Sequence, residues 1–128
     1  MIRRIAAAIG AVLFFVGIAF AMNRLALAAW PAYADAFPSH DFSPGMLAAR
    51  LVTAVVALIG SGIIAALIAR GERIAVVIAA ATLLLLGGTV HLTEPTWLHF
   101  PLWYHLAFLG LIAPCVLIGG GLRKASGT

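Results

Sequence analysis

Four long apolar segments dominate this chain and restrict it to folds that a lipid bilayer can hold. They cover residues 5–28, 46–69, 74–92 and 101–122. Each is close to or above the ~20 residues that an α-helix needs to cross about 30 Å of hydrocarbon at 1.5 Å per residue. The segments therefore predict an all-α polytopic membrane protein, an antiparallel bundle of four transmembrane helices in a single domain over residues 1–128.

The composition excludes several other classes of protein. Hydrophobic residues make up 64% of the chain and charged residues 9%, far from the half and quarter typical of soluble domains. Cys115 is the single cysteine, which rules out an intramolecular disulfide and a Cys-x-x-Cys redox pair. Although the pI is near 10.3, the basic residues form no run or patch, so nucleic acid is not an expected partner. The lipid bilayer is the expected environment.

The distribution of basic residues predicts the orientation, because cytoplasmic loops of membrane proteins are enriched in Lys and Arg. Two of the eight, Arg24 and Arg50, fall on the side of the loops at 29–45 and 93–100. The remaining basic residues all fall on the opposite side: Arg3, Arg4, Arg70, Arg73, Arg123 and Lys124. We expect both termini in the cytoplasm of a bacterial inner membrane and the two long loops outside.

Small residues predict where the helices approach one another, since close backbone contact drives helix association in lipid. The second segment carries such a stripe at intervals of four residues: Ala57, Ser61, Ala65 and Ala69. We expect it to pack within the bundle, with self-association as the alternative. The Ser61 hydroxyl is expected to bond to backbone. Pro114 predicts a kink in the fourth helix, and Gly119, Gly120 and Gly121 predict fraying of its cytoplasmic end.

The predicted external end gathers every Trp, Tyr and His of the chain. An interface for lipid or a partner is expected from the following aromatic and basic residues: Trp30, Tyr33, Trp97, Trp103, Tyr104, Arg24 and Arg50. Aromatic residues concentrate at the headgroup level of membranes. We expect the two arginines to reach the interface or to pair with Asp35, Asp41 or Glu94.

The histidines at this end allow two further interpretations. A metal site would use His91, Glu94, His99 and His105, because imidazole and carboxylate are suitable ligands. A haem or other tetrapyrrole would use His91 and His105, with Gly87 leaving room for a flat ring one turn before His91. Neither has a ligand spacing typical of its class, so no cofactor is the leading expectation.

No catalytic motif accompanies these residues, and the central parts of the segments contain no ionisable group of the kind that ion-coupled carriers use. The run Leu83–Gly88 with His91, Pro95, Trp97 and Pro101–His105 resembles uncharacterised small four-helix bacterial inner-membrane proteins. In those proteins the first helix carries Glu or His where this chain has Asn23 and Arg24. The resemblance implies no function.

We therefore expect a small, non-enzymatic membrane protein that acts as an accessory or interaction subunit of a larger membrane assembly. The alternative is a cofactor-binding protein, associated with redox or energy metabolism, that uses His91 and His105. The expected partners are the bilayer and other membrane subunits or further copies of the chain.

Overall fold

The computed structural model describes residues 1–93 and 96–127, and these form helices without any strand. The helices are α1 (Ile2–Ala29), α2 (Pro31–Ala36), α3 (Pro44–Ile68), α4 (Arg73–His91), α5 (Thr96–His99) and α6 (Leu102–Gly127). In this part of the chain, α1, α3, α4 and α6 are long and apolar enough to cross a membrane. The predicted all-α bundle of four spanning helices is confirmed, whereas the short helices α2 and α5 were not predicted.

Local sequence explains where α3 begins and ends. The Ser43 hydroxyl accepts a hydrogen bond from the Met46 amide at 3.3 Å, and Pro44 occupies the first helical position, where its missing N–H costs nothing. At the other end Arg70 and Gly71 have φ angles of 55° and 83°. This left-handed turn lets the Gly71 amide donate to the Ala66 carbonyl at 2.7 Å. The chain then reverses directly into α4.

The bundle has two ends of different character. The packed end carries the start of α1, the end of α6 and the α3–α4 turn, and the aromatic end carries α2 and α5. Helices α1 and α6 lie on opposite sides of the bundle, and each packs against both α3 and α4. An ion pair between Arg4 and Glu72 joins the start of α1 to the α3–α4 turn.

The predicted small-residue stripe, which follows α3 as far as its C-cap residue Ala69, lies inside the packed end. Its four members, Ala57, Ser61, Ala65 and Ala69, are 0–2% exposed. The Ser61 hydroxyl lies 2.7 Å from the Ala57 carbonyl and 3.0 Å from the Ala11 carbonyl. It therefore links α3 to α1 as well as to its own preceding turn.

Glycines bring α3 and α6 into backbone contact. A Cβ atom added at Gly62 would collide with the Val116 carbonyl, and one added at Gly119 would collide with the Ile59 carbonyl. The prediction that Gly119 and Gly120 fray the end of α6 is wrong, because both are buried and α6 continues as a helix past them and through Pro114. Their lack of a side chain allows the close approach instead.

Helix α1 follows the bundle closely for only part of its length. Its buried residues in the described chain are Ala7, Ala8 and Ala11, all near the packed end. Towards the aromatic end none of the described residues of α1 is buried, and a space opens between α1 and the other spanning helices.

Candidate functional site

A cavity of about 720 Å³ occupies the bundle on the side of the aromatic end. All four spanning helices contribute to its walls, which are mostly aliphatic and aromatic. This volume lies within the range of about 300–1,000 Å³ that is usual for small-molecule sites. Its polar side chains are few: Asn23, Tyr33, His40, Arg50, Thr53, His91 and Tyr104.

The cavity opens sideways between α1 and α4. Leu25 of α1 and Val90 of α4 both line it and are 59% and 56% exposed. Met22 and Leu86, one turn away on the same helices, are also exposed cavity residues. Since α1 and α4 are apolar membrane spans, this opening faces the hydrocarbon of the bilayer.

Arg50 is a charged residue that lines this cavity. Its Nη1 donates to the Tyr33 hydroxyl at 2.6 Å, and its Nε donates to the Tyr104 hydroxyl at 3.2 Å. The Tyr33 hydroxyl in turn donates to Oδ1 of Asn23 at 2.7 Å. Both tyrosines are almost fully buried. The network joins α1, α2, α3 and α6 around one guanidinium.

Aromatic rings enclose the same guanidinium, and no acidic side chain among the described residues joins them. Its carbon lies 5.1 Å from the Phe42 ring centroid and 5.5 Å from that of Phe100, which are cation–π distances. The expected pairing of Arg50 with Asp35 or Asp41 is wrong: within residues 1–93 and 96–127, Arg50 has no carboxylate partner. Glu94 lies outside the described residues. Arg24 is exposed and does not line the cavity.

Two histidines, His91 and His105, meet at the aromatic end. Nδ1 of His91 lies 2.9 Å from Nδ1 of His105, and Nε2 of His105 lies 3.2 Å from the Trp97 carbonyl oxygen. His105 stacks on the Trp97 ring, with centroids 4.9 Å apart, and is 1% exposed. His91 stacks on Phe108 at 4.3 Å and lines the cavity.

This geometry does not fit a tetrapyrrole held between His91 and His105. Their Nδ1 atoms contact each other directly, so no flat ring fits between them. A flat ring laid against Gly87 would meet the side chains of Ile112 and Phe108, which lie 2.8 Å and 3.4 Å from a Cβ atom placed there.

The three described residues of the predicted metal site, His91, His99 and His105, do not form one group. His99 stacks on His40, with centroids 4.8 Å apart, while His91 pairs with His105. Glu94 lies outside the described residues. Within the described part of the chain, no group of three or more His, Cys, Asp or Glu side chains could hold a metal ion.

The aromatic residues of the predicted interface fall into an exposed group and a buried group. Trp30, Trp97 and Trp103 are 37–46% exposed, as residues at the surface of a membrane protein would be. Tyr33 and Tyr104 instead point inward and hold Arg50. The sequence did not predict the cavity. It also did not predict the role of Asn23, because the contact of Asn23 with Tyr33 depends on the position of α2.

Comparison with known proteins assigns no function to this arrangement. No protein-family model matches the chain, and no curated protein or solved structure matches it either. The cavity, its lateral opening and the groups at its polar end are the features that indicate a function.

Proposed function

We propose that this chain is a non-enzymatic membrane protein that binds an amphiphile, consisting of one apolar chain and a small anionic headgroup, in the cavity between its spanning helices. The main support is the environment of Arg50. This partly buried cation borders an apolar cavity open to lipid and has no carboxylate partner among the described residues.

The free-energy cost of placing Arg50 inside a spanning helix supports an anionic ligand. An arginine inside a spanning helix costs about 2.5–3.5 kcal/mol by insertion measurements, and such groups usually have a partner. Two tyrosine hydroxyls and two aromatic faces offset part of this cost. A guanidinium has five N–H donors, and the described residues accept from only two of the arginine's nitrogens. The remaining donors suit the paired oxygens of a carboxylate or phosphate.

The position of the site suits a lipid-like molecule. Arg50 lies six residues after Pro44, so it is about 9 Å along the axis from the start of α3. A headgroup at Arg50 would lie near the membrane surface, and its chain would extend along the apolar walls towards Leu58 and Ile112. The opening between α1 and α4 gives access from the bilayer.

A chain that binds such a ligand would fill the accessory role expected from the sequence. A chain that holds one amphiphile could present it to, or withhold it from, a larger membrane assembly without catalysing a reaction itself. We place it in the bacterial inner membrane with both termini cytoplasmic, on the support of the basic residues around the packed end. The cavity would then open to the outer leaflet.

The test uses Trp30, which lines the cavity, as a fluorescent reporter in a Trp97→Phe, Trp103→Phe background. Purified protein in neutral detergent is titrated with stearic acid carrying a nitroxide quencher, or with its uncharged methyl ester. We expect the acid to quench Trp30 at about tenfold lower concentration, because only the acid has an anionic group for Arg50.

Arg50→Gln should remove that preference, and the matched control Arg24→Gln should keep it, since Arg24 is exposed and outside the cavity. Equal quenching by acid and ester in protein with Arg50 intact would overturn the proposal. This comparison does not depend on whether the Arg50 variant folds.

A further inference from the structure

The hydrogen bonds of the two buried histidines fix which nitrogen of His91 is available to a ligand. The Trp97 carbonyl can only accept, so Nε2 of His105 carries a hydrogen and donates to it. In neutral His105 the other nitrogen, Nδ1, is then an acceptor. When both rings are neutral, Nδ1 of His91 is therefore the donor in the 2.9 Å contact. Neutral His91 is left with a lone pair on Nε2, which has no partner among the described residues.

The cavity consequently has a hydrogen-bond acceptor as well as a donor near its polar end. His91 and Arg50 both line it, and both lie beside Tyr104: Arg50 bonds to the Tyr104 hydroxyl, and the His91 ring centroid is 5.9 Å from that of Tyr104. A ligand that satisfies both groups must offer an anionic oxygen to Arg50 and an O–H to His91.

We infer that the headgroup is a phosphate monoester carried on a single apolar chain. Its monoanion has both features on one phosphorus, namely oxygens that accept from the guanidinium and a P–OH that donates to Nε2 of His91. A carboxylate lacks the O–H, and a phosphate diester lacks it too. This inference rests on the proposed function, because it specifies the ligand of the same cavity.

The experiment compares dodecyl phosphate with its methyl diester, which has the same chain and a negative charge but no P–OH. Each is used to displace the nitroxide stearic acid from the Trp30 reporter protein at about pH 6, where much of the monoester still carries one proton. We expect the monoester to displace the probe at about tenfold lower concentration, as the loss of one hydrogen bond to a charged group predicts.

His91→Phe should reduce that ratio to about one by weakening monoester binding, and His91→Gln, whose amide oxygen can accept, should restore part of it. His99→Phe is the matched control, because His99 is exposed and outside the cavity. Equal displacement by the two phosphates in protein with His91 intact would overturn the inference, as would a ratio that survives His91→Phe. In either case a retained preference for the nitroxide acid over its ester would leave the proposed function standing.

Discussion

The two ends of this bundle are built from different residues and leave different amounts of space. At the packed end, alanine, serine and glycine bring α1 and α6 against α3, with Ala7, Ala11 and Ala65 fully buried. At the aromatic end, large rings surround a cavity of about 720 Å³. Small side chains allow backbones to approach, whereas large planar ones keep the helices apart.

The difference shows how a short membrane chain can combine a stable fold with a binding site. Packing at one end fixes the relative positions of the spanning helices, so the other end does not need to be filled. The polar network around Arg50 then joins α1, α3 and α6 across the space that the rings leave. Mutations that add volume should therefore have opposite consequences at the two ends.

The largest expected effect comes from a matched pair on α3, Ala65→Leu and Ala54→Leu. The two positions are about three turns apart on one face of the helix, but Ala65 is fully buried at the packed end, while Ala54 lines the cavity. We expect Ala65→Leu to lower the free energy of unfolding by about 1–3 kcal/mol through overpacking. Ala54→Leu should leave it unchanged or raise it by up to about 1 kcal/mol. Thermal unfolding in detergent measures both.

The same pair should differ in ligand binding. Leucine at position 54 reduces the cavity and should weaken quenching of Trp30 by the nitroxide acid, whereas any folded Ala65→Leu protein should bind it normally. Similar losses of stability for the two variants would show that the aromatic end is packed as tightly as the other end.

A somewhat smaller effect is expected from Gly62→Ala, with Gly88→Ala as its control. A methyl group at Gly62 meets the Val116 backbone, which can move away only if α3 and α6 separate. At Gly88 nothing lies within 4 Å of the added carbon. We expect Gly62→Ala to cost about 1–2 kcal/mol and Gly88→Ala to be neutral or slightly stabilising. Equal melting temperatures for both variants would contradict direct backbone contact between α3 and α6.

Much of the fold was predictable because each determinant is local. Hydrophobic length fixes the four spans, Ser43 and Pro44 mark the start of α3, and a four-residue spacing of small residues identifies the packed face. The role of Gly119 and Gly120 was not predictable in the same way. In a sequence, a run of glycines is typical of a helix end. Only the position of α3 in the structure shows that these glycines form a contact surface.

The site was predictable in its composition and not in its arrangement. The sequence places tyrosines, histidines and Arg50 at one end, but the direct contact of His91 with His105 was not predicted. Which residue holds Arg50 depends on how α2 folds back, because that brings Tyr33 over the cavity. A loop conformation of this kind is set by tertiary contacts that no spacing rule contains.

The smallest expected effect concerns the ion pair between Arg4 and Glu72 at the packed end. Nε of Arg4 donates to Oε1 of Glu72 at 2.7 Å, and this hydrogen bond lowers the pKa of Glu72 below its ordinary value of 4.5. A lowered pKa stabilises the fold above the unfolded-state pKa, and this stabilisation disappears as the pH falls through the folded-state pKa. Both side chains are accessible to water, so the contribution is small.

We expect Glu72→Gln to melt slightly below the unmodified protein at about pH 7, with the two melting curves converging as the pH falls well below 4.5. High salt should reduce the difference at neutral pH, because exposed charges are screened. Arg73→Gln is the control, since Arg73 lies next to the turn and has no part in this ion pair. A loss for Glu72→Gln as large as that for Ala65→Leu would mean that charge, and not small-residue packing, holds the start of α1 in place.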